Sequence, residues 1–251
     1  MRTPLIKRLV QSALSVLGLR LARLDSNASP AVSLGSFFAL LKRNGFDPKH
    51  VVDVGANHGN WIREAVNYFP GADYTLVEPQ DELKVHVQDL IDRGVHVHWI
   101  NAGASDHSGM LTLNVDPRDC SSTFLQTPRT VKVAIRRVEV PVRTLNEIVA
   151  SSSLPIPNMV KIDAEGFDLK VISGASDLLG KTDIFLAEVA VGPRDLENTA
   201  LMVIQKMADA GYRFIDITYV DRSPKSGVLW LCEFAFLRNS SSLLDAAANY
   251  D

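Results

Sequence analysis

Three short apolar runs in this chain each end in an acidic residue: HVVDVGA at 50–56, DYTLVEP at 73–79 and NMVKIDAEG at 158–166. A valine-rich run of four to six residues, bounded by glycine or proline, is the pattern of a strand buried on both faces. Helical patterns alternate with these runs: NWIREAVNYF, stopped by Pro70-Gly71, then residues 81–93, then DLKVISGASDLL after the third run. Further strands are expected in VHVHWINAGA and DIFLAEVA, and a helix over 195–210. Alternation at these lengths predicts βαβ units, and so an α/β fold with a doubly wound, mostly parallel sheet and helices on both faces. YRFIDITYV and VLWLCEFAFL, joined by DRSPKSG, form a terminal hairpin, which makes the last strand antiparallel. GMLTLNV and VKVAIRRVEVPVRTL, within 109–143, break the alternation and predict an inserted β-hairpin.

Upstream of the first run, AVSLGSFFALLKRNGF has helical spacing and ends at Asn44-Gly45, a C-cap signal. Residues 1–24 carry Arg2, Lys7, Arg8, Arg20 and Arg23 with no acid, and Leu5, Leu9, Ala13, Leu17, Leu21 and Leu24 recur at helical spacing. These charges interrupt the run below the roughly 18 uncharged residues a span requires. The expectation is an amphipathic basic helix and linker over 1–30, docking on the domain, on a partner chain or peripherally on an anionic membrane, followed by one domain over 31–251. A net charge of −3 gives no global basic field, which disfavours nucleic acid as a partner. Cys120 and Cys232 are far apart and outside any CxxC spacing, which suggests neither a disulfide framework nor zinc and fits a reducing cytoplasm.

The turn after the first run, Gly55-Ala56-Asn57-His58-Gly59, lacks the middle glycine of GxGxxG, and the chain has no GxxxxGK[ST]. Asp53, just ahead of it, would repel a phosphate and attract an ammonium through charge-assisted hydrogen bonds. S-adenosylmethionine has an ammonium, a sulfonium and no phosphate. Glu78 follows Gly59 by nineteen residues, near the roughly 20 at which an acid caps ribose hydroxyls in such folds. Each acid alone could equally cap a helix. Together with the altered glycine turn they point to a methyltransferase.

In this order, VVDVGANHG, LVEPQ, NAGASDHSG, DCSSTF, VPVRTLNEI, VKIDAEGFDLKVISGA and FLAEV resemble the FkbM-type methyltransferases, over about residues 45–240. The resemblance implies a Rossmann-like class I fold, whose mostly parallel seven-stranded sheet has an antiparallel last strand, and S-adenosylmethionine-dependent O-methylation of a hydroxyl on a sugar or glycan, a polyketide or a related metabolite. It further implies that Asp53, Gly55, Asn57 and Gly59 hold the methionine end, Glu78 the ribose, and Ala104, Ser105 and Asp106 the adenine.

A hydroxyl is a poor nucleophile at neutral pH and improves if a positioned base takes its proton. Asp163 and Glu165, at the end of the strand expected beside the first, are the candidate bases, with Lys161 and Glu188 in support and His58 as a competitor. Asp163, Glu165 and Glu188 could also offer hard oxygen ligands to Mg²⁺; His96 and His98, on one strand face, are a feeble zinc hint. Ser121, Ser122 and Thr123, with Asp119, read as an acceptor-side loop, and Arg136-Arg137 and Arg129-Lys132 as groups able to meet an anion. The rival readings are an NAD-type oxidoreductase, disfavoured by the missing glycine and Asp53; an RNA methyltransferase, disfavoured by the acidic balance; and a non-catalytic cofactor-binding protein, expected to lose the KIDAEG acids that are present.

Overall fold

The computed structural model describes residues 32–118, 121–192 and 197–245. The basic segment, Asp119 and the start of the expected 195–210 helix lie outside the described residues. Helix α1 (Leu34–Arg43) starts on Ser33, whose hydroxyl accepts from Ser36 N–H, and ends at Asn44 with Gly45 at φ +85°. Strand β1 (His50–Val54), helix α2 (Asn60–Tyr68) and strand β2 (Asp73–Val77) follow. The expected helix over 81–93 is a 3₁₀ stretch (Asp81–Val87) running into a short α3 (Gln88–Asp92), and β3 (His96–Ile100) completes the first half.

The second half contains β7 (Met159–Ile162), α6 (Asp168–Ser173), β8 (Ile184–Ala190), α7 (Ala200–Asp209), β9 (Tyr212–Arg222) and β10 (Leu229–Arg238). The seven-stranded sheet has the order β3-β2-β1-β7-β8-β10-β9, parallel except for β10, which runs antiparallel to both neighbours. Strand order reverses between β1 and β7, so their carboxyl ends open a crevice at the switch point where ligands of such sheets bind.

Between the halves, β4 (Gly103–Ala104), β5 (Gly109–Val115) and β6 (Arg136–Arg143) form a small second sheet. The expected hairpin is present as antiparallel β5 and β6, but its second arm is shorter than the alternation in VKVAIRRVEV implied. Residues 131–133 belong instead to α4 (Pro128–Val133), because Thr127 and Thr130 form a reciprocal capping box and Pro128 occupies the first turn. Helix α5 (Leu145–Ala150) returns the chain to the main sheet, capped by Thr144.

Alternation along each strand divides the core between the two sheet faces. Val52, Val54, Val160, Ile162, Phe185 and Ala187 pack with residues of α5, α6 and α7. Val51, Met159, Leu186, Ala235 and Leu237 pack with Phe37, Phe38 and Leu41 of α1 and Ile62 and Ala65 of α2. Full burial of a side chain such as Phe38 stabilises by about 1.5–3 kcal/mol. A third cluster, Leu113, Val115, Phe124, Val140, Val142 and Phe167, fastens the small sheet to the start of α6.

Gly55 leaves β1 at φ +72°, and a Cβ there would lie 1.9 Å from the Asp163 carbonyl oxygen, so only glycine lets the first turn close on the end of β7. Gly55→Ala is expected to cost about 3 kcal/mol or more in denaturant unfolding. Gly71→Ala, where a Cβ meets nothing within 4 Å, should stay within about 0.5 kcal/mol of wild type.

Candidate functional site

Asp53 and Lys161 are register partners on β1 and β7, on the same face as Val51 and Met159. Lys161 Nζ lies 3.3 Å from Asp53 Oδ1 and 3.2 Å from Asp163 Oδ2, with Lys161 and Asp53 both buried. The Asp53 contact is an ion pair without an aligned hydrogen bond, and neither Asp53 oxygen has a hydrogen-bond partner. Burial raises the Asp53 pKa and Lys161 opposes it. For Lys161, burial favours the neutral amine, but Asp163, Asp53 and Glu233 outweigh it and hold the pKa above its usual value.

Above this triad, a cavity of about 650 Å³ opens at the carboxyl ends of β1, β7 and β8, within the size range of small-molecule sites. Asp53 itself is fully buried and absent from the cavity wall, with its carboxylate facing Lys161. Gly55 and Asn57 line the cavity, with Asn57 at φ +46°. Gly59 does not; it caps α2 at φ +73°, where a Cβ would meet Val87 at 2.5 Å. Glu78 does line it, its carboxylate accepting from Asn57 N–H (2.9 Å) and Gln80 N–H (3.0 Å), while burial pushes its pKa up. His58 also lines the cavity and stacks on His86 at 4.1 Å.

Of the expected adenine-side residues, Ala104 lines the cavity together with Gly103, whereas Ser105 and Asp106 do not. Ser105 N–H bonds the Arg143 carbonyl, and the Ser105 carbonyl packs so closely on Gly174 that a Cβ there would lie 2.0 Å away, which turns this stretch toward α6. The Asp106 carboxylate is taken by His107 and Ser105. Of the described residues Ser121, Ser122 and Thr123 of the acceptor-side loop, Ser122 lines the cavity. Ser121 N–H bonds the Arg118 carbonyl, and buried Thr123 donates its hydroxyl to the Glu165 carbonyl at 2.8 Å. Thr123 thus serves the backbone of another loop. Arg129 and Lys132 lie within α4 and do not line the cavity, His96 and His98 share Asp73, and Arg136 pairs with Glu82.

Asp163, Glu165 and Glu188 do come together: each offers a carboxylate oxygen within 4.8 Å of the others. Neither Glu165 nor Glu188 accepts a side-chain hydrogen bond from another described residue. Like charges this close cannot all ionise easily. Burial, then Asp163 and Asp168, push Glu165 up to about 8; burial, then Asp163 and Glu165, raise Glu188 as well.

Two acids escaped the sequence reading. Asp168, fully buried, accepts from Ala164 N–H and Gly166 N–H (3.1 Å each) and from Asn198 (2.9 Å), and clamps the loop in which Glu165 sits at φ +48°. Its signal was the last aspartate of KIDAEGFD. Glu233, paired with Glu188 across β10 and β8, is held by Thr218 and pushed up to about 7 by burial. As the sole charge in VLWLCEFAFL, it was also visible.

Removing one partner of a buried ion pair leaves an uncompensated charge, at about 3–5 kcal/mol. Lys161→Met is therefore expected to lower unfolding stability by that amount, and adding Asp53→Asn to recover part of it. Equal stability of wild type and Lys161→Met would show that the triad carries no such energy.

The model of the methyltransferase FkbM domain matches residues 53–214. Among curated proteins, the hexuronic acid methyltransferase AglP of Haloferax volcanii is 32% identical over 159 residues, and the chain spans 62% of the length of that relative, using 62% of its own. Among solved structures, a putative rRNA-methylase from Clostridium thermocellum has a TM-score of 0.51 at 11% identity, over 86% of this chain and 100% of that one, a likeness of fold alone. With the match covering more than half of its residues, the chain belongs to the FkbM methyltransferase domain family.

Proposed function

We propose that this chain is an S-adenosylmethionine-dependent O-methyltransferase whose acceptor is a hydroxyl of a saccharide or a related polyhydroxylated metabolite. The observation that carries this reading is the acidic end of the cavity, where Asp163, Glu165 and Glu188 converge and where, among the described residues, the one cation in salt-bridge contact is Lys161, already shared with Asp53. The donor set fits the cofactor: net negative charge suits a sulfonium, and the Glu78 carboxylate, oriented by two amides, retains lone pairs for a ribose diol. When bound, S-adenosylmethionine supplies the electrophilic methyl. The glycan side of the reading is supported by the relative named a hexuronic acid methyltransferase.

In this reading the backbone of Gly55–Asn57 and the Glu78 carboxylate hold the donor. Glu165 takes the acceptor proton. Asp163, fixed by Lys161, orients the hydroxyl, and Glu188 sets the charge around the base. Thr123 and Asp168 hold the Glu165 loop in its left-handed conformation, so both act through Glu165. The alternative role for the three carboxylates is to seat Mg²⁺, and the rate in EDTA separates the two: a retained rate assigns them to proton transfer, a lost one to a metal.

A base must be ionised to accept a proton, so a pKa near 8 for Glu165 makes turnover climb as pH rises through about 8 and level off above it. Glu165→Gln is expected to remove that limb and slow methyl transfer by about 10²–10⁴-fold, while calorimetry finds S-adenosylmethionine affinity within a few-fold of wild type. Wild-type turnover in both Glu165→Gln and Asp163→Asn rules out a carboxylate base.

A further inference from the structure

The acids that suit a cationic donor make the transfer cavity a poor place for an anion. Asp163, Glu165, Glu188 and Glu233 line it, and its one lysine is already matched to Asp53 and Asp163. A negatively charged group on the acceptor must lie elsewhere.

Phe124 is a wall shared by this cavity and a second one, of about 680 Å³, between the small sheet and the start of α6. The partition continues through Phe167, whose ring is 5.5 Å from that of Phe124, and through the Glu165–Gly166 peptide, one residue of which lines each cavity. A group bound in the second cavity therefore adjoins the loop that carries Glu165.

Two cations line this second cavity, and neither is paired with a carboxylate among the described residues. The Arg137 guanidinium donates to Asn114 Oδ1 (3.1 Å) and Gln126 Oε1 (3.0 Å), both neutral, and so keeps its full charge. Lys170 Nζ lies 4.6 Å from the centre of the Phe167 ring. Asp106, which feels the Lys170 charge, spends its carboxylate on His107 and Ser105. Glu139, held by Thr112, and Glu197 line the same cavity. A bare inorganic anion is repelled by those glutamates, and a neutral saccharide leaves both cations unmatched. A saccharide bearing an anionic group satisfies both sets, its hydroxyls donating to Glu139 and Glu197 and its anionic oxygens accepting from Arg137 and Lys170.

Resting on the methyltransferase reading, we propose that the second cavity binds an anionic saccharide unit of the acceptor, next to the sugar whose hydroxyl is methylated, with Arg137 and Lys170 on its carboxylate or phosphate. The acceptor is then an acidic glycan methylated at a neutral position, and Arg137 and Lys170 set specificity without touching the reacting atoms.

The full chain, with and without S-adenosylhomocysteine, is titrated by ligand-observed NMR with methyl glucuronide, glucose 6-phosphate and methyl glucoside. At least one anionic probe is expected to bind at least about tenfold more tightly than methyl glucoside, and which one does identifies the anionic group. The Arg137→Gln/Lys170→Gln double variant should lose that preference, with melting temperature and S-adenosylmethionine affinity unchanged. Arg136→Gln, whose native partner is Glu82, should keep it. The proposal is overturned by equal binding of neutral and anionic probes, by absence of anionic binding, or by a preference that survives in the double variant. Any of these with normal S-adenosylmethionine binding removes the subsite alone, whereas failure to bind S-adenosylmethionine removes the methyltransferase reading.

Discussion

The site depends on one buried ammonium. Lys161 lies between Asp53 on β1 and Asp163 just past β7, on the two strands whose order reverses at the centre of the sheet. Burial disfavours the charge of Asp53, which the lysine offsets, and the lysine could not stay charged at that depth without its acids. The ion pairs therefore do two things at once: they tie β1 to β7 at their carboxyl ends, and they keep a carboxylate on the cavity floor. Replacing all three with apolar groups could leave the sheet as stable, so the cluster is better understood through what it places in the cavity than through the energy it adds.

From that floor the rest of the site is built by backbone clamps. Asp168 gathers two amides of the 164–166 loop, Thr123 reaches across from the small sheet to the Glu165 carbonyl, and Asn198 links Asp168 to the strand bearing Glu188. These contacts hold Glu165 in a left-handed conformation that a non-glycine residue seldom adopts. Strain of this kind persists where surrounding structure over-determines it, and it gathers at functional sites. The insert is thus more than a decoration on the sheet: it closes one wall of the cavity with Phe124 and braces the proposed base.

Much of this was legible in the chain. Valine-rich runs ending in acids gave β1, β2 and β7 their type and order, because a strand buried on both faces must be apolar throughout, and glycine at 55 announced a close backbone approach. KIDAEGFD marked the acidic end of the cavity. What was not legible has a common physical source. Ser105, Asp106 and Thr123 are polar residues beside a cavity, but each is spent on a backbone or a neighbouring side chain, and sequence does not reveal which way a side chain of a turn faces. Residues 131–133 alternate like a strand, yet a local capping box decides for helix.

By itself the sequence determined which segments become strands and which residue types gather at their ends, since these follow from apolar periodicity and from where the acids interrupt it. Tertiary structure alone decided who faces whom. Asp53 became the counter-ion of Lys161, and Glu188 and Glu233, forty-five residues apart in the chain, became cross-strand neighbours. Register across non-consecutive strands sets these pairings, and it is chosen by packing of the whole sheet against its helices, information that no local stretch contains.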